Sequence, residues 1–418
     1  MRVKIGFFSE DFKFKALMLT FVIGMNVFAY TISPLYKIIV VVVNFVLLYI
    51  CEFKFRFEKY HLALLMFIAW IGLSIIWAPY SVNINVIPTL LYCLVSVVVL
   101  HRFLDRESRY IALMKCIIIS AYLLAFAMVM HFGLMTMLTS RVDNSVVNTN
   151  RAGTIFAISL YFCMYLFYKE KNKIYLVIGL PLLFLVFVSG SKSALLIAAI
   201  SIFVMTSLKS GVNSSKMFRN AVIGTVLVII GYILIIKIPV FYRIIGARFQ
   251  EFVDVMLGRR EVLVGEHSIY MRITLSQFGL KGFFESPLWG HGMDSFSQSP
   301  GNPWPGRYSH MNYIEIMYNF GVIGLALYYW PFIKLVRKFR VIRRNIDSLD
   351  RAFITGFIVY YSLYGLLGVF FNELFDWVVL EMMCSFVLMK YNELYGETDI
   401  LLHNCGENSC IRDSQGAL

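Results

Sequence analysis

Apolar stretches follow one another along this chain and leave little room for anything else. They run Ala16–Ile32, Leu35–Ile50, Leu62–Trp77, Val86–Leu100, Ile111–Phe132, Ala152–Tyr168, Ile174–Val188, Ser193–Leu208, Ala221–Ile236, Met311–Ile333, Ala352–Phe371 and Leu374–Met389. A helix needs ~20 residues to cross the hydrocarbon of a bilayer, and several of these stretches fall a few residues short of that. Lipid offers no hydrogen bonds, so a spanning segment must satisfy its own backbone. The pattern therefore predicts an all-α integral membrane protein with about twelve transmembrane helices. Composition agrees: 59% of the 418 residues are hydrophobic and 15% are charged, against about 25% charged in soluble domains.

A formal charge of +13 would suit a nucleic-acid partner, but its placement gives a simpler reading. With Arg2, Lys4, Lys13 and Lys15 in the cytoplasm, every even-numbered connection also faces inward. Those connections carry Lys54, Arg56 and Lys59; Arg102, Arg106 and Arg109; Lys169, Lys171 and Lys173; and Lys209, Lys216 and Arg219. The last holds Lys334, Arg337, Lys338, Arg340, Arg343, Arg344 and Arg351. Short outward connections are nearly bare of positive charge. This is the positive-inside pattern, and it puts both termini in the cytoplasm without calling for nucleic acid. The first stretch has a basic lead and no small-residue cleavage site, so it reads as an anchor.

The organisation that follows has spans one to nine in residues 1–236, a large outward loop in 237–310, spans ten to twelve in 311–390, and a polar cytoplasmic tail in 391–418. Inside the loop, Ile269–Phe284 has helical character, ended by Ser286, Pro287 and the glycines of 290–292. Long ordered loops are usually functional.

Four ionisable side chains fall at the outward ends of helices. Arg151 lies in NTNRAG (148–153) and Lys192 in SGSKSALL (189–196). Arg272 lies on the loop helix, in SIYMRITLSQFGLKGFFESPLWGHG (268–292), and His310 in SHMNYIEIMYNFGVIG (309–324). Each has a bland reading: a cation snorkelling to headgroups, a solvated helix face, a histidine with a satisfied ring. Together, beside the positive N-terminal ends of helices six, eight and ten, they suit a pyrophosphate. An imidazole there can take the proton of a sugar hydroxyl, while the cations stabilise a pyrophosphate leaving group. The outer loops carry no D-x-D pair, which argues against a metal-dependent enzyme using nucleotide sugars. Glu285 and Asp294 remain further candidates if His310 only binds.

N-x-N-R-x-G, S-x-S-K-S-A-L-L, an arginine helix leading to S-P-L-x-G-x-G, then S-H-x-N-Y-x-E and G-V-I-G-L, spread over Asn148–Leu325, resemble the O-antigen ligase and O-antigen polymerase superfamily. The resemblance implies a metal-independent C-type glycosyltransferase of the bacterial inner membrane, with a large periplasmic loop between helices 9 and 10 and no cofactor. Its donor would be a glycan on undecaprenyl pyrophosphate, its acceptor another glycan or lipid A-core, amid membrane lipid and with a chain-length regulator as a further candidate partner. By the same resemblance His310 is catalytic and Arg272 holds the pyrophosphate. Lys192 stands where ligases usually have arginine, keeping the charge without the planar fork. Arg151 matches a weaker position, and Asn312 and Glu315 support His310 from one turn below. Lys192 and an outer loop rich in aromatic residues tilt the reading toward polymerase over ligase. A transporter or flippase is the alternative of another class. It would need ionisable residues at mid-membrane, for which Lys115, Asp376 and Glu381 are available, but the two halves look unlike each other.

Overall fold

The structure, a computed structural model, describes residues 9–22, 57–139, 149–209 and 267–412, with isolated positions between them. Apart from such positions, the expected spans at 35–50 and 221–236 and the loop stretches 140–148 and 240–266 lie outside the described residues. Every regular element among the described residues is helical. The first eight are α1 (Glu10–Val22), α2 (Lys59–Ser74), α3 (Val86–Phe103), α4 (Glu107–Phe132), α5 (Leu134–Thr139), α6 (Thr149–Glu170), α7 (Ile174–Val188) and α8 (Lys192–Leu208). Then come α9 (His267–Glu285), α10 (Ser295–Gln298), α11 (Asn312–Ile342), α12 (Ser348–Leu367) and α13 (Leu374–Arg412).

By length and composition α3, α4, α6 and α11 can cross a membrane, and α2, α7 and α8 are shorter apolar helices. Their outer faces identify the solvent. On α4, Ile117, Ala121, Leu124 and Met128 are buried, while Ile119, Leu123, Phe126 and Met130 form an exposed stripe at helical spacing. A water-soluble helix would put polar residues on that outer stripe. This is a membrane protein.

The helices alternate in direction. One end of the bundle gathers the starts of α6, α8, α11 and α13, the end of α12 and the α2–α3 connection. At the opposite end α4, α6, α12 and α13 are locked by Lys169, which lies 2.7 Å from Glu107 and 3.2 Å from Asp350, and by Lys390, 3.2 Å from Glu107. Between the ends, α11 packs against α2 and α13, and α8 lies between α6 and α12.

Hydrophobic spacing alone predicts an unbroken helix over Met311–Ile333. Instead α11 breaks at Gly321, whose φ of 66° and ψ of −167° are not helical. In a continuous helix the carbonyls of Tyr318, Asn319 and Phe320 would accept from residues four further on. After the break they need other donors. The His291 amide reaches Tyr318 O at 2.9 Å, and the Gly292 amide reaches Asn319 O at 2.8 Å. The Trp70 indole takes Phe320 O at 3.0 Å, and the stranded Val322 amide finds Pro287 O at 2.8 Å. Gly290, with φ of +71°, lies against the Asn319 and Phe320 backbone, where a Cβ has no room. The S-P-L-x-G-x-G segment is thus a plug for a broken helix.

Lower in the bundle, α2, α3 and α13 meet at a buried polar cluster that sequence spacing does not reveal. Glu381 lies 2.9 Å from His61 Nε2 and 2.8 Å from His101 Nδ1, and it accepts from Tyr60 and Ser385 at 2.8 and 2.7 Å. Two histidines and a carboxylate this close also suit a metal ion. The proton arrangement opposes that reading. His61 Nδ1 accepts the Glu58 amide at 3.0 Å, so Nε2 must carry the proton and has no lone pair for a metal. The cluster is a clamp of three helices. Glu381→Ala leaves its donors unpaired in a dry site, which costs about 3–5 kcal/mol. Thermal unfolding of the purified protein in detergent should show a clear drop in Tm; an unchanged Tm would remove the clamp.

Candidate active site

His310 precedes α11 by two residues and has φ of 59°, the left-handed region that a side-chain-bearing residue rarely occupies. Its neighbours impose this conformation. The Ser309 amide donates to Glu315 at 2.7 Å, and the Ser309 hydroxyl donates to Met311 O at 2.8 Å. The Tyr308 ring lies against the imidazole, 4.2 Å between centroids. His310 Nε2 is buried and makes no hydrogen bond among the described residues. A strained backbone and an unpartnered ring nitrogen make His310 the leading candidate for a site residue.

Burial first, then the charges of Arg272 and Arg307, push the imidazole down to about 4. The His310 ring is therefore neutral at pH 7. The acid limb of kcat/KM, which reports the free enzyme, should lie near pH 4 and not at the ordinary histidine value. Arg307→Gln removes a repelling cation and favours the imidazolium, so the limb should shift upward. A limb that stays put would mean that Arg307 does not act on the ring.

Arg272 sits on α9, whose inner side packs on α11 through Leu275, Phe296, Ile314 and Tyr318. Its guanidinium donates to Leu367 O at 3.1 Å, at the end of α12. The helix is fixed further by the Trp304 indole on Thr274 at 3.0 Å and the Ser276 hydroxyl on Met311 Sδ at 3.3 Å. Arg272 and His310 thus come together although α9 and α11 are separate elements. Arg307 joins them as a cation that the motif reading passed over. It is exposed, on a turn closed by its amide to Trp304 O at 3.0 Å and by Asn302 on its carbonyl at 3.0 Å. Nothing in its spacing marks it out; its effect on the ring appears only in three dimensions.

Asn312 and Glu315 are tie points. The Asn312 side chain accepts from the Phe370 and Phe371 amides at 3.0 Å each and donates to the Tyr329 hydroxyl at 2.8 Å. It thereby pins the start of α11 to the α12–α13 connection. Glu315 is buried, holding the Ser309 amide with one oxygen and Asn319 Nδ2 with the other, at 3.1 Å. Asn319 passes the link to the Phe296 amide at 2.8 Å. Plug, broken helix and histidine loop form one network.

Lys192 opens α8 behind the Ser191 cap, whose side chain accepts the Ala194 amide at 3.3 Å. Gly153 lies beside Ser191 and Ala194, so the start of α8 meets the start of α6, while the middles of α8 and α12 pack where Gly356 lies beside Ser201. Lys192 therefore belongs to the His310 end of the bundle. Arg151 is at that end too, but it is engaged within the fold. It is buried, ion-paired with Asp376, 3.0 Å from the Tyr364 hydroxyl and 3.6 Å from Glu373. The carboxylates that hold Arg151 come from α13 and its approach, far away in sequence. Of the alternative acids, Asp294 is tied to the Asn83 amide at 2.6 Å, where it anchors the α2–α3 connection.

Residues 176–329 match the family model described as O-antigen ligase. No curated protein matches the chain.

Proposed function

We propose that this protein, whose residues 176–329 match the family model described as O-antigen ligase, polymerises glycan repeat units carried on undecaprenyl pyrophosphate at the periplasmic face of a bacterial inner membrane. The observation that carries the reading is the juxtaposition of an unpartnered imidazole nitrogen with Arg272 and Arg307 at one end of a membrane bundle. A neutral base beside fixed cations fits an acceptor hydroxyl next to a diphosphate.

In the proposed step the acceptor hydroxyl oxygen bonds to the anomeric carbon of the donor sugar. The bond from that carbon to the pyrophosphate oxygen breaks, and the pyrophosphate leaves with its electron pair. His310 Nε2 takes the hydroxyl proton. Arg272, Arg307 and Lys192 stabilise the growing negative charge, aided by the N-terminal dipole of α8. The energy of the step is already stored in the lipid-linked donor. Arg151, held by Asp376, positions the helix ends instead of gripping phosphate. A bilayer limits donor and acceptor to the same depth, which favours encounter.

Ligase activity, transfer of the finished glycan to lipid A-core, is the second reading, favoured by the description of the matching family. A deletion strain separates the two on a lipopolysaccharide gel. Loss of a polymerase leaves core capped with a single repeat. Loss of a ligase leaves bare core and accumulated lipid-linked polymer. Normal long chains in the deletion strain would exclude both.

A further inference from the structure

The outward side of α9 has a composition that the reaction does not explain. Ile273, Leu280 and Phe284 fall within about 40° of one another around the helix axis, on the side away from α11, and all three are exposed, Phe284 by 74%. Leu288 and Trp289 continue the patch past the helix end, each 53% exposed. A loop helix in water would place polar residues on this stripe. Instead Gln277, Lys281 and Glu285 occupy one flank only, and Arg272 the other.

The patch does not stand alone. Trp289 stacks on Trp70 of α2, 5.4 Å between ring centroids. The outer side of α2, one of the apolar helices of the bundle, exposes Leu62, Met66 and Leu73 at helical spacing, and Ile76 is exposed just past its end. The α9 stripe is therefore continuous, through two stacked indoles, with a surface that lipid covers. Indole rings favour the headgroup level of a bilayer. A helix with a core side, an apolar side and a charged flank lies in the plane of that interface.

We propose that α9 is an in-plane interfacial helix. Its Ile273–Leu280–Phe284 stripe is immersed among the acyl chains of the leaflet at the His310 end, Trp289 sits at the headgroup level, and its Lys281 flank faces water. The occupant of the stripe is bilayer lipid, not a protein partner. This inference rests on the membrane reading and goes beyond the proposed reaction, and it would stand if the reaction were of another kind. Its consequence is that Arg272, one flank away from the stripe, sits at the depth where lipid phosphates lie.

The test uses the full chain in vesicles of phosphatidylethanolamine and phosphatidylglycerol, with a benzophenone amino acid introduced singly at Leu280, Phe284 or Lys281. The same probe at Leu123, on the exposed stripe of α4, sets the level for a lipid-facing site. After irradiation, mass spectrometry counts lipid adducts. Positions 280 and 284 should match position 123 and exceed position 281 several-fold. Equal yields at 281 and 284, cross-links from 284 into the chain itself, or cross-links to a second copy would each overturn the proposal.

Discussion

In a strain carrying His310→Ala, long-chain surface polysaccharide should be lost while the protein accumulates in the membrane at its normal level. General-base assistance contributes about 10²–10⁴-fold in rate, enough to erase long chains from a gel. The structure supplies the reason. Burial and two neighbouring cations keep the imidazole neutral, and no hydrogen bond occupies Nε2 among the described residues. Folding should survive, because the Ser309 amide and hydroxyl, not the ring, hold the loop to Glu315 and Met311. Alanine in the left-handed conformation adds only a local strain. Full-length chains from this variant would remove His310 from the chemistry.

Arg272→Ala should reduce transfer by about 10²–10³-fold, the range for deleting one donor that stabilises developing anionic charge. Arg272→Lys should restore little. The guanidinium is planar, and its bond to Leu367 O sets the orientation of the whole group; an ammonium keeps the charge but not the fork. A second signature distinguishes this loss from mere misfolding. Removing a cation that repels the imidazolium should raise the His310 pKa, so the residual activity of Arg272→Ala should have its acid limb above the position near 4 set by burial together with the intact pair of arginines. Restoration by lysine with an unmoved limb would argue that only net charge matters.

Much of this architecture was legible because lipid imposes a simple rule. Apolar runs of spanning length mark helices, and α3, α4, α6 and α11 appear where such runs lie. Breaker residues bounded the loop helix equally well: the expected Ile269–Phe284 falls within the observed His267–Glu285. What stayed hidden involves partners distant in sequence. Arg151 looked solitary because Asp376, its partner, lies 225 residues away. The Glu381 cluster draws its histidines from two other helices, and nothing local to any of the three announces the pairing. The break at Gly321 was masked by hydrophobicity that runs straight through it. Only the loop that supplies substitute hydrogen bonds makes the break stable, and no local pattern in α11 encodes that loop. Arg307 was missed because an exposed arginine on a turn has no distinguishing spacing, and its effect on His310 appears only in three dimensions.

The proposed reaction needs a neutral imidazole and a guanidinium acting on one lipid diphosphate. Single-turnover transfer from a radiolabelled undecaprenyl-pyrophosphate glycan, with purified protein in nanodiscs, separates their parts. Arg272→Ala should weaken donor binding and slow transfer together, whereas His310→Ala should bind donor as the unaltered protein does and transfer almost none. Wild-type transfer rates from the His310→Ala protein, or donor binding indifferent to Arg272, would contradict it.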